Sequence, residues 1–154
     1  MRGERGSYTV EAVLVLPLIL VVLFATLWGG SLMYTWTAVN YGALSGALDA
    51  ARRGEFPLDA RQAVAGYLRD FTPGGKQLQV NYQATGPYQD PNKVVIWGPP
   101  PGQKFNRGQV VTVGVVYPVK VSSPLLAFLG RAAFGGDTIY LKAQASAKSE
   151  VFFE

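Results

Sequence analysis

The longest apolar run of the chain begins directly after Glu11 and continues to Trp28. No Asp, Glu, Lys or Arg lies between Glu11 and Asp49. A run of this length matches the roughly 17–25 residues that a membrane-spanning helix needs. Arg2 and Arg5 precede the run and favour a cytoplasmic N-terminus. The pattern therefore predicts a single-pass cell membrane protein whose C-terminal part is extracytoplasmic.

A cleaved secretory signal peptide is the alternative interpretation of the same run. Such a peptide has a shorter apolar region, about 7–15 residues, followed by a small-residue cleavage site. Here the run is longer, and only Gly29, Gly30 and Ser31 follow it as small residues. A permanent or temporary membrane anchor is therefore favoured, and a secreted protein with a cleaved signal is kept as the alternative.

Beyond the apolar run, apolar and small residues still recur every three or four positions, which indicates that the helix continues. Arg52 and Arg53 followed by Gly54 are typical of a helix end. One face of this part is formed by small residues, which allow close approach of another element. That element is either a neighbouring helix or the protein's own domain. The residues of this face are Gly42, Ala43, Gly46, Ala47 and Ala50.

The remainder of the chain alternates between helical and strand patterns. A second helix is predicted over Leu58–Phe71, where Val64, Tyr67, Leu68 and Phe71 form an apolar stripe expected to pack in a core. Alternating apolar positions then predict strands, and Pro118 suggests an edge or a bulge. A short helix is expected over Leu125–Phe134. The predicted strands cover Leu78–Ala84, Val94–Trp97, Gln109–Val121 and Thr138–Val151.

These elements predict an α+β protein. Residues 1–6 form a basic leader, residues 7–54 a long transmembrane and amphipathic helix, and residues 55–154 an exported head domain. The head is expected to contain an antiparallel sheet of about four strands and one or two short helices. The proline-rich segment Gly98–Gly102 could serve as a recognition motif, but its length and position favour a connection between strands.

Composition narrows the possible chemistry. The chain of 154 residues contains no cysteine and no histidine, which excludes disulfides and the usual general base near neutral pH. We therefore expect no catalytic residues, no metal, no cofactor and no enzyme activity. The net charge is +4, and the basic residues are scattered without a dense run, so no nucleic-acid partner is expected.

The residues before the apolar run form a recognisable arrangement. Gly6 is followed by Ser7-Tyr8-Thr9-Val10-Glu11, after a short basic leader. This arrangement resembles a type IV prepilin processing site. The resemblance implies that a prepilin-type peptidase cuts between Gly6 and Ser7, and that Glu11 pairs with the N-terminal amine of a neighbouring subunit. From Glu11 alone, the simpler interpretation is preferred, in which it marks the membrane interface and a helix N-terminus, where a negative charge is favoured.

Pro17 extends the resemblance. Gly6, Val10-Glu11, an apolar run and an early proline are similar to the start of TadE-like proteins of the Tad (Flp pilus) system, and Ala50–Gly54 is similar to their A-A-R-x-G ending. The resemblance implies a minor pilin or pseudopilin of a Tad-type pilus or secretion machine, with Glu11 and Pro17 as assembly residues. The implied partners are the lipid bilayer, other pilin-like subunits and the Tad assembly platform, with incorporation into a surface pilus. The alternative is a permanently membrane-anchored extracytoplasmic binding module.

Overall fold

A computed structural model describes residues 4–77, 79–121 and 137–152, with side chains from residue 13 onward within these ranges. The chain divides into two compact units, Met1–Met33 and Tyr34–Glu154. The described elements are α1 (Glu4–Arg53), α2 (Leu58–Phe71), β1 (Gln79–Ala84), β2 (Lys93–Trp97), β3 (Val110–Lys120) and β4 (Thr138–Lys148). The predicted bounds of α2 are confirmed, and the four predicted strands are confirmed to within a few residues. The helix expected over Leu125–Phe134 lies outside the described residues.

Helix α1 ends where the sequence predicted. Arg52 and Arg53 occupy its last turn, where positive charge compensates the helix dipole. Gly54 follows with a φ of 69°, a left-handed conformation that glycine adopts without steric cost. The carbonyl of Gly54 accepts a hydrogen bond of 2.7 Å from the amide of Phe105. This bond ties the helix end to the loop before β3.

The four strands form one mixed sheet in the order β1-β2-β3-β4. β2 and β3 pair antiparallel, as do β3 and β4, but β1 and β2 are parallel. The expectation of an antiparallel sheet is therefore wrong for the first pair. The eight residues between β1 and β2, 85–92, span up to about 26 Å when extended. That is longer than the roughly 20 Å of a six-residue strand, so the loop can return the chain to the starting end of β1.

The main core of the second unit lies between one face of the sheet and the two helices. Alternate residues of β3, Val111, Val113, Val115 and Tyr117, are buried in it, and Leu141, Ala143, Ala145 and Ala147 of β4 contribute as predicted. Pro118 lies in β3 where the pairing with β2 has already ended at Val116, while it still pairs with Tyr140 of β4. Pro118 therefore lies in the part of β3 that extends past its pairing with β2, which agrees with the edge interpretation.

The small face of α1 packs against its own domain. Ala43, Ala47 and Ala50 are almost completely buried. A β-carbon on Gly42 would lie 3.3 Å from Cδ2 of Leu68, a residue of α2. The structure thus decides between the two alternatives, because the partner that approaches this face is α2 together with β3.

The apolar stripe of α2 is only partly buried. Val64 and Leu68 lie in the core, and Tyr67 packs at its margin. Phe71 is 50% exposed, so its expected place in the core is wrong. The next residue, Thr72, is buried instead, and its hydroxyl donates to the carbonyl of Leu68 at 2.6 Å. Thr72 is therefore directed toward the core, whereas Phe71, the final residue of α2, stays outside it.

Arg61 of α2 is completely buried although it carries a charge. Its guanidinium lies 4.7 Å from the centre of the Phe56 ring, and burial lowers its pKa. Its donors reach the carbonyls of the chain before α2, of β1 and of the loop after β2, so one side chain holds three segments together. The accepting carbonyls belong to Phe56, Tyr82, Ala84, Gly98 and Pro99.

Candidate assembly helix

The predicted site residues all lie along α1. The backbone is helical from Glu4, so Gly6, Ser7 and Glu11 belong to the first turns of the helix. Their side chains lie outside the described part of the chain, and the predicted cleavage and the pairing of Glu11 stay predictions. Pro17 is inside the helix, and its side chain is exposed.

Pro17 changes the hydrogen bonding of α1 locally. Proline has no amide hydrogen, so the carbonyl of Val13, four residues earlier, receives no bond from it. Such a proline is tolerated in a membrane helix where other groups satisfy the freed carbonyl. The helix nevertheless continues through this position to Arg53. Pro17 therefore removes one helical hydrogen bond inside the apolar run without ending the helix.

The apolar part of α1 is exposed on all sides in the first unit. Successive side chains such as Val13, Leu14, Leu16 and Leu18 are each more than 60% exposed. From Val13 the helix is long and apolar enough to cross a membrane, with a mean hydropathy of 2.5 in its most apolar window, none of which is buried. A helix that is apolar all round belongs in lipid or in a large protein interior. One N-terminal apolar helix is thus compatible with a single-pass membrane protein.

The polar side chain of Thr26 and the two glycines that follow it in this segment both suit an apolar environment. The hydroxyl of Thr26 donates to the carbonyl of Val22 at 2.8 Å, which satisfies the hydroxyl within the helix. Gly29 and Gly30 have no atom within 4 Å of an added β-carbon. In contrast to Gly42 and Gly46, these two glycines are therefore not required by contacts within the described chain.

In the second unit, α1 presents two different faces. Val39, Ala43 and Ala47 are buried against the sheet and α2. On another side of the helix, large apolar and aromatic residues spaced by seven, three and four positions remain exposed by 44–55%. We call these residues the exposed stripe: Tyr34, Tyr41, Leu44 and Leu48. This heptad-like spacing is visible in the sequence, but the sequence pattern alone does not show that the stripe, and not the small-residue face, stays exposed.

An aromatic cluster joins α1 to α2 beside the exposed stripe. The rings of Tyr41 and Tyr67 have their centres 5.0 Å apart, and Phe71 stacks on Tyr67 at 4.7 Å. Such pairs add about 0.5–1.5 kcal/mol beyond the burial of area. Burial, followed by the neighbouring Tyr41, raises the pKa of the Tyr67 hydroxyl, which therefore stays neutral at physiological pH. The cluster widens the apolar surface that the second unit exposes.

The junction between α1 and α2 is charged and exposed. Arg53 bonds Asp49, one turn earlier, at 3.0 Å and Asp59 of α2 at 2.6 Å. The hydrogen bond from Arg53 lowers the pKa of the Asp59 carboxyl. Such exposed pairs contribute little to stability, so we interpret this network as a local brace of the turn. Among the described residues, no three His, Cys, Asp or Glu side chains are grouped so that they could hold a metal ion.

Comparison with known proteins agrees with the resemblance predicted from Gly6, Val10-Glu11 and Pro17. Residues 6–48 match the family described as TadE-like protein, which confirms the resemblance over 43 of the 154 residues. No curated protein and no solved structure matches the chain. The matched segment contains the predicted site residues and the whole exposed stripe, whereas α2 and the sheet lie outside it. A TadE-like segment suggests a protein associated with the Tad pilus.

Proposed function

We propose that this chain, which carries a TadE-like segment over residues 6–48, is a minor pilin-like subunit of a Tad-type pilus or secretion machine. It assembles through α1 and has a structural role without enzyme activity. The observation that carries the proposal is that the matched segment coincides with a helix that exposes large apolar side chains along its length, from Val13 to Leu48 of the exposed stripe.

The environment of α1 changes in this proposal. Before assembly, the apolar run lies in the bilayer, with the N-terminus cytoplasmic and the head extracytoplasmic. During assembly, contacts with lipid are exchanged for contacts between helices of neighbouring subunits. Removing about 20 apolar residues from lipid is unfavourable, so the assembly machine must supply energy. Gly29 and Gly30 support close helix contacts, since small residues allow helices to approach in membranes.

The exposed stripe supports the same proposal in the second unit. Tyr41, Leu44 and Leu48 project away from the core, although their size would suit a core. Contiguous apolar surface on a soluble domain usually marks an interaction site. A helix with a repeat of seven residues packs well against a similar helix, so a second pilin-like subunit is the natural partner of the stripe.

The start of the mature chain is the first test. Mass spectrometry of the protein from its native membrane should find an N-terminus at Ser7, and Gly6→Leu should retain the leader. Glu11→Ala should still insert into the membrane but assemble poorly, because an amine without its carboxylate partner is costly in lipid. A mature chain that keeps Met1–Gly6, or normal assembly of Glu11→Ala, would count against the proposal.

Cysteine cross-linking tests the stripe directly, because the natural chain has no cysteine to interfere. Leu44→Cys should form disulfide-linked dimers in assembled material under mild oxidation. Gln62→Cys, exposed on α2, is the matched control and should stay monomeric. Equal cross-linking of both variants would remove the stripe from the interface.

A permanently anchored extracytoplasmic binding module is the second candidate function. It is favoured by a cleft on the sheet face opposite the main core, bordered by Trp97, Lys142 and Gln144. A retained leader together with monomeric Leu44→Cys would support this candidate over the first.

A further inference from the structure

The sheet has a cleft on the face opposite the main core. Its volume is about 700 Å³, within the usual range of sites for small molecules. The loop between β1 and β2 forms one wall, and β2, β3 and β4 form the floor and the other wall. Its aromatic, amide and charged lining residues are Tyr88, Gln89, Trp97, Lys142 and Gln144.

The floor of the cleft is an indole ring held against the sheet. A β-carbon on Gly114 would lie only 2.3 Å from Cε2 and Cζ2 of Trp97, so only glycine at this position lets the ring lie there. Trp97 also packs against Val95 and Val116, which are buried in a second, smaller core on this face. Trp97 is thus fixed on one side by packing and borders the cleft with the other.

Tyr88 is positioned in the wall by a hydrogen bond. The side-chain amide of Asn81 donates a hydrogen bond to the hydroxyl of Tyr88. Tyr88 itself remains 42% exposed. The amides of Gln89 and Gln144 border the same space. Each amide can donate and accept hydrogen bonds, which matches groups that do both, such as hydroxyls.

All charged side chains of the four strands are positive. The four strands contain four lysines and no Asp, Glu or Arg. By strand alternation, the lysines share the face of Val95 and Val116, since residues two apart point to the same side. These residues are Lys93, Lys120, Lys142 and Lys148. The face therefore attracts anions, and Lys142 brings this charge to the cleft.

We propose that the cleft binds an acidic carbohydrate. The apolar side of a sugar ring stacks on Trp97, the amides of Gln89 and Gln144 bond the hydroxyls, and the ammonium of Lys142 pairs with a carboxylate. A nucleic acid, with a phosphate at every nucleotide, fits less well, because the cleft lining offers one ammonium, that of Lys142, beside two amides that suit hydroxyls. The proposal does not depend on assembly through α1, so either one can fail without the other.

Calorimetric titration of the full-length protein in detergent micelles tests the ligand class. The probes are an oligogalacturonate, a neutral maltooligosaccharide of equal length and an oligothymidylate. We expect the oligogalacturonate to bind more tightly than both others. Absence of oligogalacturonate binding, equal binding of the neutral sugar, or tighter binding of the oligothymidylate would each overturn the proposal.

Variants of two lysines on β4 then locate the site. Lys142→Gln should bind oligogalacturonate about tenfold more weakly, as expected for loss of a charge-assisted hydrogen bond. Lys148→Gln removes the same charge from the same strand, outside the cleft lining, and should bind almost normally. Equal loss in both variants would indicate general attraction to a basic surface and would contradict the site.

The proposed stacking of a sugar ring on Trp97 is tested by a separate variant. Trp97→Ala should abolish measurable binding while circular dichroism shows a folded head. Because Trp97 also packs on Val95 and Val116, this variant can fail to fold. In that event Gln144→Ala, which changes an exposed side chain, decides together with Lys142→Gln. Unchanged binding by a folded Trp97→Ala would exclude the indole as the floor of the site.

Discussion

Gly46 of α1 lies so close to Val64 of α2 that a β-carbon on Gly46 would be 3.0 Å from Cγ2 of Val64. The same atom would lie 3.2 Å from Cγ1 of Val113 in β3. Gly46 is therefore a point of close approach between α1, α2 and the sheet. This contact determines which face of α1 is used inside the protein and which face stays available to other molecules.

Enlarging Gly46 should destabilise the head. Gly46→Val must displace Val64 or Val113, and overpacking of this kind costs about 1–3 kcal/mol. Urea unfolding of the full-length protein in detergent, followed by circular dichroism, measures the change. Gly30→Val is the control, because nothing lies within 4 Å of a β-carbon there, and it should leave the midpoint of head unfolding unchanged. Equal midpoints for both variants would contradict the close packing at Gly46.

Arg61 should be essential for stability because of its shape as well as its charge. Arg61→Leu leaves buried carbonyls without a donor, each at a cost of about 1–3 kcal/mol. Arg61→Lys should also destabilise, since an ammonium has its donors at one point and cannot reach all three segments. Thermal unfolding measures both effects. Arg69→Leu, on the exposed side of α2, is the control with an expected change within about 0.5 kcal/mol.

The buried pair of Thr72 and Tyr117 predicts a dependence on high pH. Their hydroxyl oxygens are 2.7 Å apart, and Thr72 already donates to Leu68, so Tyr117 donates to Thr72. Burial raises the pKa of Tyr117, so the unfolded chain loses this proton first as the pH rises. The stabilisation is complete below a pH of about 10 and declines above it.

Tyr117→Phe tests that mechanism. At pH 7 the variant should be less stable by about 1 kcal/mol, the usual net contribution of a hydrogen bond. Above pH 10 the difference from the natural chain should shrink, because the natural chain loses stability as Tyr117 ionises. Urea unfolding at pH 7, 9 and 10.5 measures the trend. A difference that stays constant or grows with pH would show that Tyr117 does not titrate as argued.

The pair of Arg53 and Asp59 predicts the opposite dependence at low pH. The hydrogen bond from Arg53 lowers the pKa of Asp59 in the folded protein. Its small stabilisation is therefore present above a pH of about 4 and is lost as the pH falls through the lowered value. Asp59→Asn should flatten the decline of the unfolding midpoint between pH 4.5 and 2.5. High salt should also flatten the decline, because it screens an exposed ion pair. Asp90→Asn is the control and should leave the decline unchanged.

Local patterns were sufficient to predict most of the elements. The predicted bounds of α2, Leu58–Phe71, agree with the structure, since the helical stripe and the Pro-Gly stop are both local signals. β4 begins at Thr138 as predicted, because apolar positions alternate strictly along this segment, which is also a local signal. The resemblance to TadE-like proteins was readable because Gly6, Glu11 and Pro17 lie within twelve consecutive residues.

Other features depend on contacts between segments distant in the chain. The burial of Arg61 had one local signal, its position four residues before the buried Ala65 and seven before Leu68. The signal is weak because its acceptors lie on other segments, as far along the chain as Pro99. Likewise, the Trp97 ring can form the floor of the cleft only because Gly114 has no side chain. Gly114 lies 17 residues after Trp97, so a local sequence pattern cannot reveal this contact.

By itself, the sequence determined the apolar helix, the α+β elements and the absence of cysteine and histidine chemistry, because each depends on neighbouring residues or on composition. Only the tertiary structure decided that β1 and β2 run parallel, that the small face of α1 packs on its own head, and that Tyr41, Leu44 and Leu48 remain exposed. The physical reason is that burial is a property of the assembled fold. A face of α1 is hidden only where α2 and the sheet meet it, as they do at Gly46.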